Sequence, residues 1–163
     1  MPRPLLLLDV DGVLNPYGGP CPPGYTEHDL FPGEEPVRVN REHGAWIAEL
    51  AGEFDVTWAT GWNDEANSVL GPLLGLPALP VLTMPPAPFS AADKVPRVAG
   101  LAQDRPAVWI DDLLTAAAWS WCRSRTTPTL LVPVVPAAGL ARDAVDQALV
   151  WARALRPPPV PSN

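Results

Sequence analysis

An apolar run that ends in two acidic residues constrains the fold of this chain more than any other feature. Residues 5–8 are four leucines, and Asp9, Asp11 and Gly12 follow at once. Consecutive leucines predict a strand that is buried on both faces, as in a parallel sheet. Side chains alternate along a strand, so Asp9 and Asp11 are expected to point the same way where it ends. The alternative is a strand followed by a solvated Asp-Gly turn.

Strands and helices are expected to alternate along the rest of the chain. Apolar runs predict strands over 5–9, 56–59, 81–84, 107–110 and 129–132, and helical spacing predicts helices over 41–53, 91–102, 113–122 and 140–155. Asn40 and Ser90 are expected to cap two of these helices. A further helix is expected to begin near Asn63 and run through Leu70, and Gly71-Pro72 and Gly75-Leu76-Pro77 are expected to break the chain after it. This order predicts an α/β fold, a Rossmann-like three-layer αβα sandwich with a mainly parallel central sheet.

The length and composition fit one domain. The chain has 163 residues, of which 47% are apolar and 18% are charged, the balance of a globular protein. We expect residues 1–156 to form this domain. The Gly- and Pro-rich segment 12–36 predicts a flap, made of loops or a small hairpin, and the Pro-rich segment 157–163 predicts a disordered tail.

Charge and cysteine content exclude several classes of partner. The net charge of −7 opposes general binding of polyanions such as nucleic acid. No apolar run approaches the roughly 18 residues that span a membrane, so no membrane partner is expected. Cys21 and Cys122 lack the spacing of a zinc site. We expect them to be free thiols in a reducing cytoplasm.

Three of the predicted strands end in polar residues. Asp9 and Asp11 follow the first strand, Thr60 follows the second, and Asp111 and Asp112 follow a later one. The carboxyl ends of parallel strands lie at one edge of a sheet, where open α/β sheets bind their ligands. Four carboxylates brought together there need a counter-charge, and Mg²⁺ prefers oxygen ligands. The sequence therefore predicts a magnesium site at this edge.

Lys94 is the only lysine of the chain, among ten arginines. A lysine kept where arginine is otherwise used indicates that a compact point charge is needed. The alternative is a solvated residue on the helix predicted over 91–102. His43, in the first turns of the helix over 41–53, is expected at the surface.

The order of these residues resembles that of a known family. Asp9-Val10-Asp11-Gly12, then Thr60, then Lys94, then Asp111-Asp112 are similar to the four motifs of the haloacid dehalogenase-like (HAD) superfamily. The similarity runs from Leu5 to about Val132. The longer signatures over 9–16 and 59–63 resemble a small branch of HAD domains that is associated with bacterial RNA-repair proteins.

The resemblance implies a reaction. Asp9 would be the nucleophile that forms an aspartyl-phosphate, and Asp11 would act first as general acid and then as general base. Asp9, the backbone carbonyl of Asp11, and Asp111 would bind Mg²⁺, with Asp112 helping directly or through water. Dehalogenases of this family lack an acid at the position of Asp11, so the resemblance implies a phosphatase.

The resemblance also implies phosphate and substrate contacts. Thr60 and the amide of Gly61 would hold phosphoryl oxygens, and Lys94 would neutralise charge on the nucleophile and the transferring group. Trp62 either stacks on a substrate ring or covers the core. Asn15 and Asn63 are the remaining candidates for substrate binding.

The spacing leaves no room for a large cap domain, since Lys94 follows Thr60 by only 34 positions. An open site suits a large phosphorylated substrate, such as a polynucleotide end or a phosphoprotein. It equally suits a partner protein or a second copy that acts as the cap. Two alternatives to hydrolysis stay open, namely a phosphotransferase and a non-catalytic module that binds phosphate or metal. The motif order disfavours a receiver-type signalling domain.

Overall fold

The computed structural model describes residues 2–160. The strands and longer helices are β1 Leu5–Leu8, β2 Thr26–His28, β3 Val37–Val39, α1 Glu42–Glu53, β4 Asp55–Trp58, α2 Gly71–Leu74, α3 Lys94–Ala102, β5 Ala107–Asp111, α4 Ala116–Ser124, β6 Thr129–Pro133 and α5 Arg142–Ala154. A π-helical turn, Ala66–Leu70, precedes α2, and a 3₁₀ turn, Ala91–Asp93, precedes α3.

The central sheet has four parallel strands in the order β4-β1-β5-β6. Leu5 lies opposite Asp55 on one side and Ala107 on the other, so β1 is an interior strand. The chain passes from β1 to β4, then crosses back over β1 to β5. The carboxyl end of β1 therefore lies at the point where the strand order reverses, which is where ligands bind in open α/β sheets.

Helices cover both faces of this sheet, because the leucines of β1 are buried on alternate sides. Leu6 and Leu8 belong to a core cluster that includes apolar residues of α1 and α5. Leu5 and Leu7 belong to a second cluster, which α3 and α4 complete on the opposite face. Burying each leucine fully contributes about 2 kcal/mol. The predicted three-layer αβα sandwich, Rossmann-like and with a parallel sheet, is confirmed.

The flap segment contains a short antiparallel pairing. β2 pairs with β3, with Thr26 opposite Val39 and His28 opposite Val37. The small hairpin expected for residues 12–36 is therefore present, although its second strand lies just beyond that range. Asn40, the expected cap, accepts a hydrogen bond at 3.0 Å from the backbone N–H of Glu42, the first residue of α1.

Two predicted elements near residue 75 are wrong. Gly71-Pro72 does not end a helix but opens α2, because proline is tolerated in a first helical turn. The helix ends at Gly75, whose φ of 66° is left-handed, so the break expected at Gly75-Leu76-Pro77 is confirmed. The run 81–84 is not a strand, and Val81 alone bridges to Trp58. The prolines on both sides of that run have no N–H to extend a ladder.

Two further expectations are corrected. The helix expected over 113–122 begins only at Ala116, because the hydroxyl of Thr115 accepts from the backbone N–H of Ala118 at 3.4 Å. His43 is fully buried rather than at the surface. Its ring packs edge-on against Tyr25 of the flap, and its Nε2 lies 3.1 Å from the carbonyl oxygen of Leu140. Burial lowers the pKa of His43 to about 4.

The two cysteines and the carboxyl-terminal segment lie outside the central sheet. Cys21 and Cys122 are both free thiols, as expected. Residues 157–160 are exposed and without regular structure, while 161–163 of the expected tail lie outside the described residues. Within residues 2–160, every helix is too short or too polar to cross a bilayer.

Candidate functional site

The polar residues that follow three neighbouring strands lie at one level of the sheet. The backbone N–H of Asp9 donates to the carbonyl of Ile110 in β5 at 3.2 Å. On the other side, Ala59 N–H donates to the carbonyl of Leu8 at 2.8 Å. Thr60 therefore lies just beyond the end of β1, on the side opposite β5. The three strands end at the same edge of the sheet, as predicted, because they run parallel and pair without a stagger.

Asp9, Asp111 and Asp112 form an acidic cluster. Each offers one carboxylate oxygen, and these atoms all lie within 4.8 Å of one another. Asp9 and Asp111 are 7% and 1% exposed, whereas Asp112 is half-buried. Burial raises the pKa of Asp9 well above its usual value of 3.8, even though Lys94 opposes the effect. Burial also raises the pKa of Asp112. Burial therefore disfavours the charged forms of Asp9 and Asp112, and a cation bound beside them would favour those forms.

Lys94 is buried against this cluster, so the alternative of a solvated helix residue is wrong. Its Nζ lies 2.6 Å from Oδ2 of Asp111 and 3.5 Å from Oδ1 of Asp9. Burial lowers the pKa of Lys94, but the two carboxylates outweigh that effect and raise it above its usual 10.5. The 3₁₀ turn before α3 sets this position. Ser90 and Asp93 form a reciprocal capping box there, and Lys94 is the first residue of α3.

Neighbouring groups fix the two buried carboxylates. Asp111 accepts hydrogen bonds from the indole N–H of Trp109 at 3.2 Å and from the backbone N–H of Leu113 at 2.9 Å. Asp9 Oδ1 accepts from the backbone N–H of Val10 at 2.8 Å. Such bonds restrict the orientation of each carboxylate. The cluster is therefore held in place before any ligand arrives.

Asp112 is held by a residue that sequence reasoning did not place in the site. The hydroxyl of Tyr17, in the flap, donates to Oδ2 of Asp112 at 2.6 Å, and this hydrogen bond raises the pKa of Tyr17 to about 12. The two residues are 95 positions apart, so no local pattern links them. Gly12 is required beside them. Its φ is +78°, and a Cβ there would lie 2.3 Å from Cγ of Asp112.

The side chain of Asp11 lies apart from the acidic cluster. Its Oδ1 accepts from Nδ2 of Asn15 at 2.9 Å, and its Oδ2 accepts from the indole N–H of Trp62 at 3.1 Å. The strand ends at Leu8, and the carbonyl of Val10 accepts turn hydrogen bonds. The strand alternation used to align Asp9 with Asp11 therefore stops before it reaches Asp11. Metal binding through the Asp11 carbonyl stays a prediction.

The flap and the residues after β4 hold the two partners of Asp11. Oδ1 of Asn15 accepts from the backbone N–H of Arg38 in β3 at 2.8 Å. Trp62 packs edge-on against Phe31 of the flap, with ring centroids 5.1 Å apart, and it also contacts the core. Trp62 thus covers part of the core and faces the site at once. The flap, through Asn15 and Phe31, orients the carboxylate of Asp11.

The other candidates after β4 have separate roles. Thr60 is buried, and its Oγ1 accepts from the backbone N–H of Trp62 at 3.2 Å. Gly61 is exposed beneath the Phe89 ring, which would lie 3.3 Å from an added Cβ. Asn63 uses its side-chain carbonyl to accept from Met84 N–H at 2.9 Å. Asn63 therefore anchors the chain near residue 84 by its side chain.

An open cavity of about 980 Å³ lies between the flap and the chain after β4. We call it the flap groove. Its lining comes from three segments of the chain: Asp11, Asn15, Pro16, Tyr17, Gly18, Gly19, Glu27, Phe31, Glu34, Glu35, Pro36, Val37 and Arg38; Gly61, Trp62 and Glu65; and Ala87 and Phe89. Asp11 and Trp62 belong both to the groove and to the hydrogen-bonded group described above. The groove is therefore continuous with the candidate site.

The acidic cluster fits a hard divalent cation. Its donors are carboxylate oxygens that lie close together, burial raises the pKa of Asp9 so that a cation would favour its charged form, and Lys94 pairs with Asp9 and Asp111 alone among the three acids. Mg²⁺ commonly uses one or two carboxylates together with waters and a phosphate. Asp9, Asp111 and Asp112 are the residues that would hold it.

Comparisons with known proteins add no family to this geometry. No protein-family model matches the chain, and no curated protein matches it significantly. The resemblance to the HAD superfamily therefore stays a prediction, supported by the residues and their positions alone.

Proposed function

We propose that this protein is a magnesium-dependent phosphohydrolase of the HAD type, which acts through an aspartyl-phosphate on Asp9. One observation carries the proposal. Asp9 lies just after the interior strand β1, its carboxylate clusters with those of Asp111 and Asp112, and its Oδ1 lies 3.5 Å from the ammonium of Lys94. Clustered carboxylates with a buried lysine, at the point where the strand order reverses, can hold a metal ion and position a phosphoryl group.

In the proposed first step, a carboxylate oxygen of Asp9 attacks phosphorus. The new bond joins Asp9 to phosphorus, the ester P–O bond breaks, and Asp11 gives its proton to the departing oxygen. In the second step, a water oxygen attacks phosphorus, Asp11 takes one proton from that water, the bond between Asp9 and phosphorus breaks, and inorganic phosphate leaves. Asp9 is then a free carboxylate again, so the cycle closes.

The remaining residues position the phosphoryl group and neutralise negative charge. Lys94 lies 3.5 Å from Oδ1 of Asp9 and neutralises charge on the nucleophile. Thr60 and the amide of Gly61 would bind phosphoryl oxygens next to β1. The bound cation would stabilise negative charge on the transferring phosphoryl group and relieve its repulsion with Asp9.

We also propose a cytoplasmic location, because two free thiols fit a reducing compartment.

Phosphate release from an aryl phosphate tests the proposal, with Asp9→Asn as the decisive variant. Asparagine is nearly isosteric but is not a nucleophile here, so we expect turnover to fall by at least ~1,000-fold while the fold persists. Asp104→Asn, an exposed residue, is the matched control. EDTA should stop the wild-type reaction and Mg²⁺ should restore it.

Each result has a defined meaning. Wild-type rates in Asp9→Asn would refute the nucleophile, and full activity in EDTA would refute the metal. Transfer of phosphate to an added alcohol in preference to water would assign a phosphotransferase. Binding of Mg²⁺ without turnover of any phosphomonoester would leave a non-catalytic module.

A further inference from the structure

The flap groove is the place where the non-phosphate part of a substrate must lie. Asp11, the proposed general acid, protonates the departing oxygen, so the departing group lies next to Asp11. Asp11 and its partner Trp62 both line the groove. The chemistry of the groove therefore selects the substrate. This inference about the substrate rests on the proposed phosphohydrolase function.

The groove is acidic over most of its length. Four glutamates line it together with Asp11: Glu27, Glu34, Glu35 and Glu65. Its one cationic lining residue, Arg38, is already engaged. The Arg38 guanidinium lies 3.4 Å from Oε1 of Glu27 and 3.4 Å from the carbonyl of Pro16. Within the described part of the chain, the groove thus offers a substrate carboxylates and no free cation.

Aromatic rings lie among these carboxylates. Phe31 and Trp62 pack edge-on at 5.1 Å, Phe89 covers Gly61, and all three rings line the groove. Ring faces and carboxylates together attract amine and guanidinium groups, through cation–π contacts and charge pairing. The same carboxylates repel a chain of phosphates, and the net charge of −7 adds to that repulsion. This disfavours the polynucleotide end that an open site alone would admit.

We propose that the flap groove selects phosphomonoesters whose non-phosphate part carries positive charge, such as a phosphorylated serine flanked by basic residues. The phosphate would lie at Asp9 and the bound cation, while amine or guanidinium groups would lie against Glu34, Glu35 and the aromatic rings. Selectivity would then come from the groove, and catalysis from the acidic cluster.

Three phosphoserine peptides of equal length test this selectivity, with arginine, glutamine or glutamate beside the phosphoserine. A 5′-phosphorylated oligonucleotide is the polyanionic probe. We expect kcat/KM to fall in the order arginine, glutamine, glutamate, with about tenfold between the first and last, and the oligonucleotide to be poorest. Ethanolamine phosphate beside ethyl phosphate distinguishes a small amine substrate from a basic peptide.

The variant Glu34→Gln/Glu35→Gln removes two groove charges. It should reduce the arginine-to-glutamate ratio by about three- to tenfold, at the magnitude of two exposed charge pairs. Asp29→Asn/Asp104→Asn changes the net charge equally and is the control, because both residues are exposed and outside the groove lining. The control should keep the wild-type ratio.

Failure of the inference and failure of the proposed function give different results. An unchanged ratio in the groove variant, or a preference for the oligonucleotide, would overturn the inference while leaving a phosphatase. If no ester is hydrolysed, the proposed function fails. Binding of the same three peptides, carrying a fluorescent label, then tests whether the groove prefers positive charge. Tighter binding of the arginine peptide, weakened by the groove variant alone, would support the groove, and equal binding of all peptides would overturn it.

Discussion

Replacing Lys94 by methionine tests whether its ammonium neutralises the acidic cluster. Methionine has a similar length and fills the same space without charge. Lys94 Nζ lies 2.6 Å from Asp111 and 3.5 Å from Asp9, and the side chains of Lys94 and Asp111 are 7% and 1% exposed. The variant therefore leaves buried carboxylates without their cation.

The expected loss is large because the pair is buried. Breaking a buried ion pair by removing one partner costs roughly 3–5 kcal/mol, whereas an exposed pair is worth at most about 1 kcal/mol. A domain of this size has a total stability on the order of 5–15 kcal/mol. We expect Lys94→Met to lower the free energy of unfolding by about 3–5 kcal/mol, and the melting temperature by roughly 10 °C.

The pH dependence gives a second readout of the same change. The raised pKa of Asp9 means that this carboxyl binds more protons in the folded than in the unfolded state above about pH 4, so the contribution of Asp9 to stability falls as pH rises. Lys94 lowers the pKa of Asp9. Its removal raises that pKa further, so relative to wild type the variant should lose additional stability as the pH rises above about 4.

Urea unfolding in EDTA measures both effects. Arg97→Met is the matched control, because Arg97 is exposed on the same helix and makes one long hydrogen bond, 3.5 Å, to the carbonyl of Thr83. We expect the control to lie within about 0.5 kcal/mol of wild type. A Lys94→Met protein within about 1 kcal/mol of wild type, with an unchanged pH slope, would refute the reasoning.

Three further changes probe other contacts. The pKa of His43 is about 4 in the folded state and 6.5 in the unfolded state, so stability is lost as pH falls below 6.5. Acidifying from about pH 7.5 to pH 5 should therefore lower the free energy of unfolding by about 2 kcal/mol through His43. Urea unfolding of His43→Leu should lack this pH dependence. Tyr17→Phe should weaken Mg²⁺ binding about tenfold in calorimetric titrations, and unchanged affinity would exclude an orienting role for its bond to Asp112. Gly12→Ala should cost more stability and Mg²⁺ affinity than Gly18→Ala, because the two glycines have similar positive φ but only Gly12 abuts Asp112; equal losses would mean that backbone strain alone acts.

The sequence identified the acidic residues of the cluster through their position after apolar runs. Four leucines can satisfy burial on both faces only in an interior strand, and parallel strands place their carboxyl ends together. Asp9, Thr60, Asp111 and Asp112 could therefore be assigned to one edge without coordinates. The lone lysine was identified by composition, and its burial against Asp9 and Asp111 agrees with that assignment.

Prolines and turns limited the local predictions. Gly71-Pro72 predicts a break by composition, but proline at the start of a helix loses only an N–H that has no intrahelical partner, and α2 begins there. The run 81–84 has the apolarity of a strand, but the prolines beside it prevent a ladder. Periodicity reports which residues are apolar, and it does not report which N–H groups are present.

By itself, the sequence determined the four parallel strands of the central sheet, its two buried faces and the residues at its carboxyl edge, because burial patterns and chain order are local properties. Only the tertiary structure decided which partners those residues have. Tyr17 meets Asp112, Trp62 meets Asp11 and His43 is covered by the flap, although each pair is far apart along the chain. Contacts between distant segments depend on where the flap packs, and a flap rich in glycine and proline carries no periodic pattern that specifies its packing.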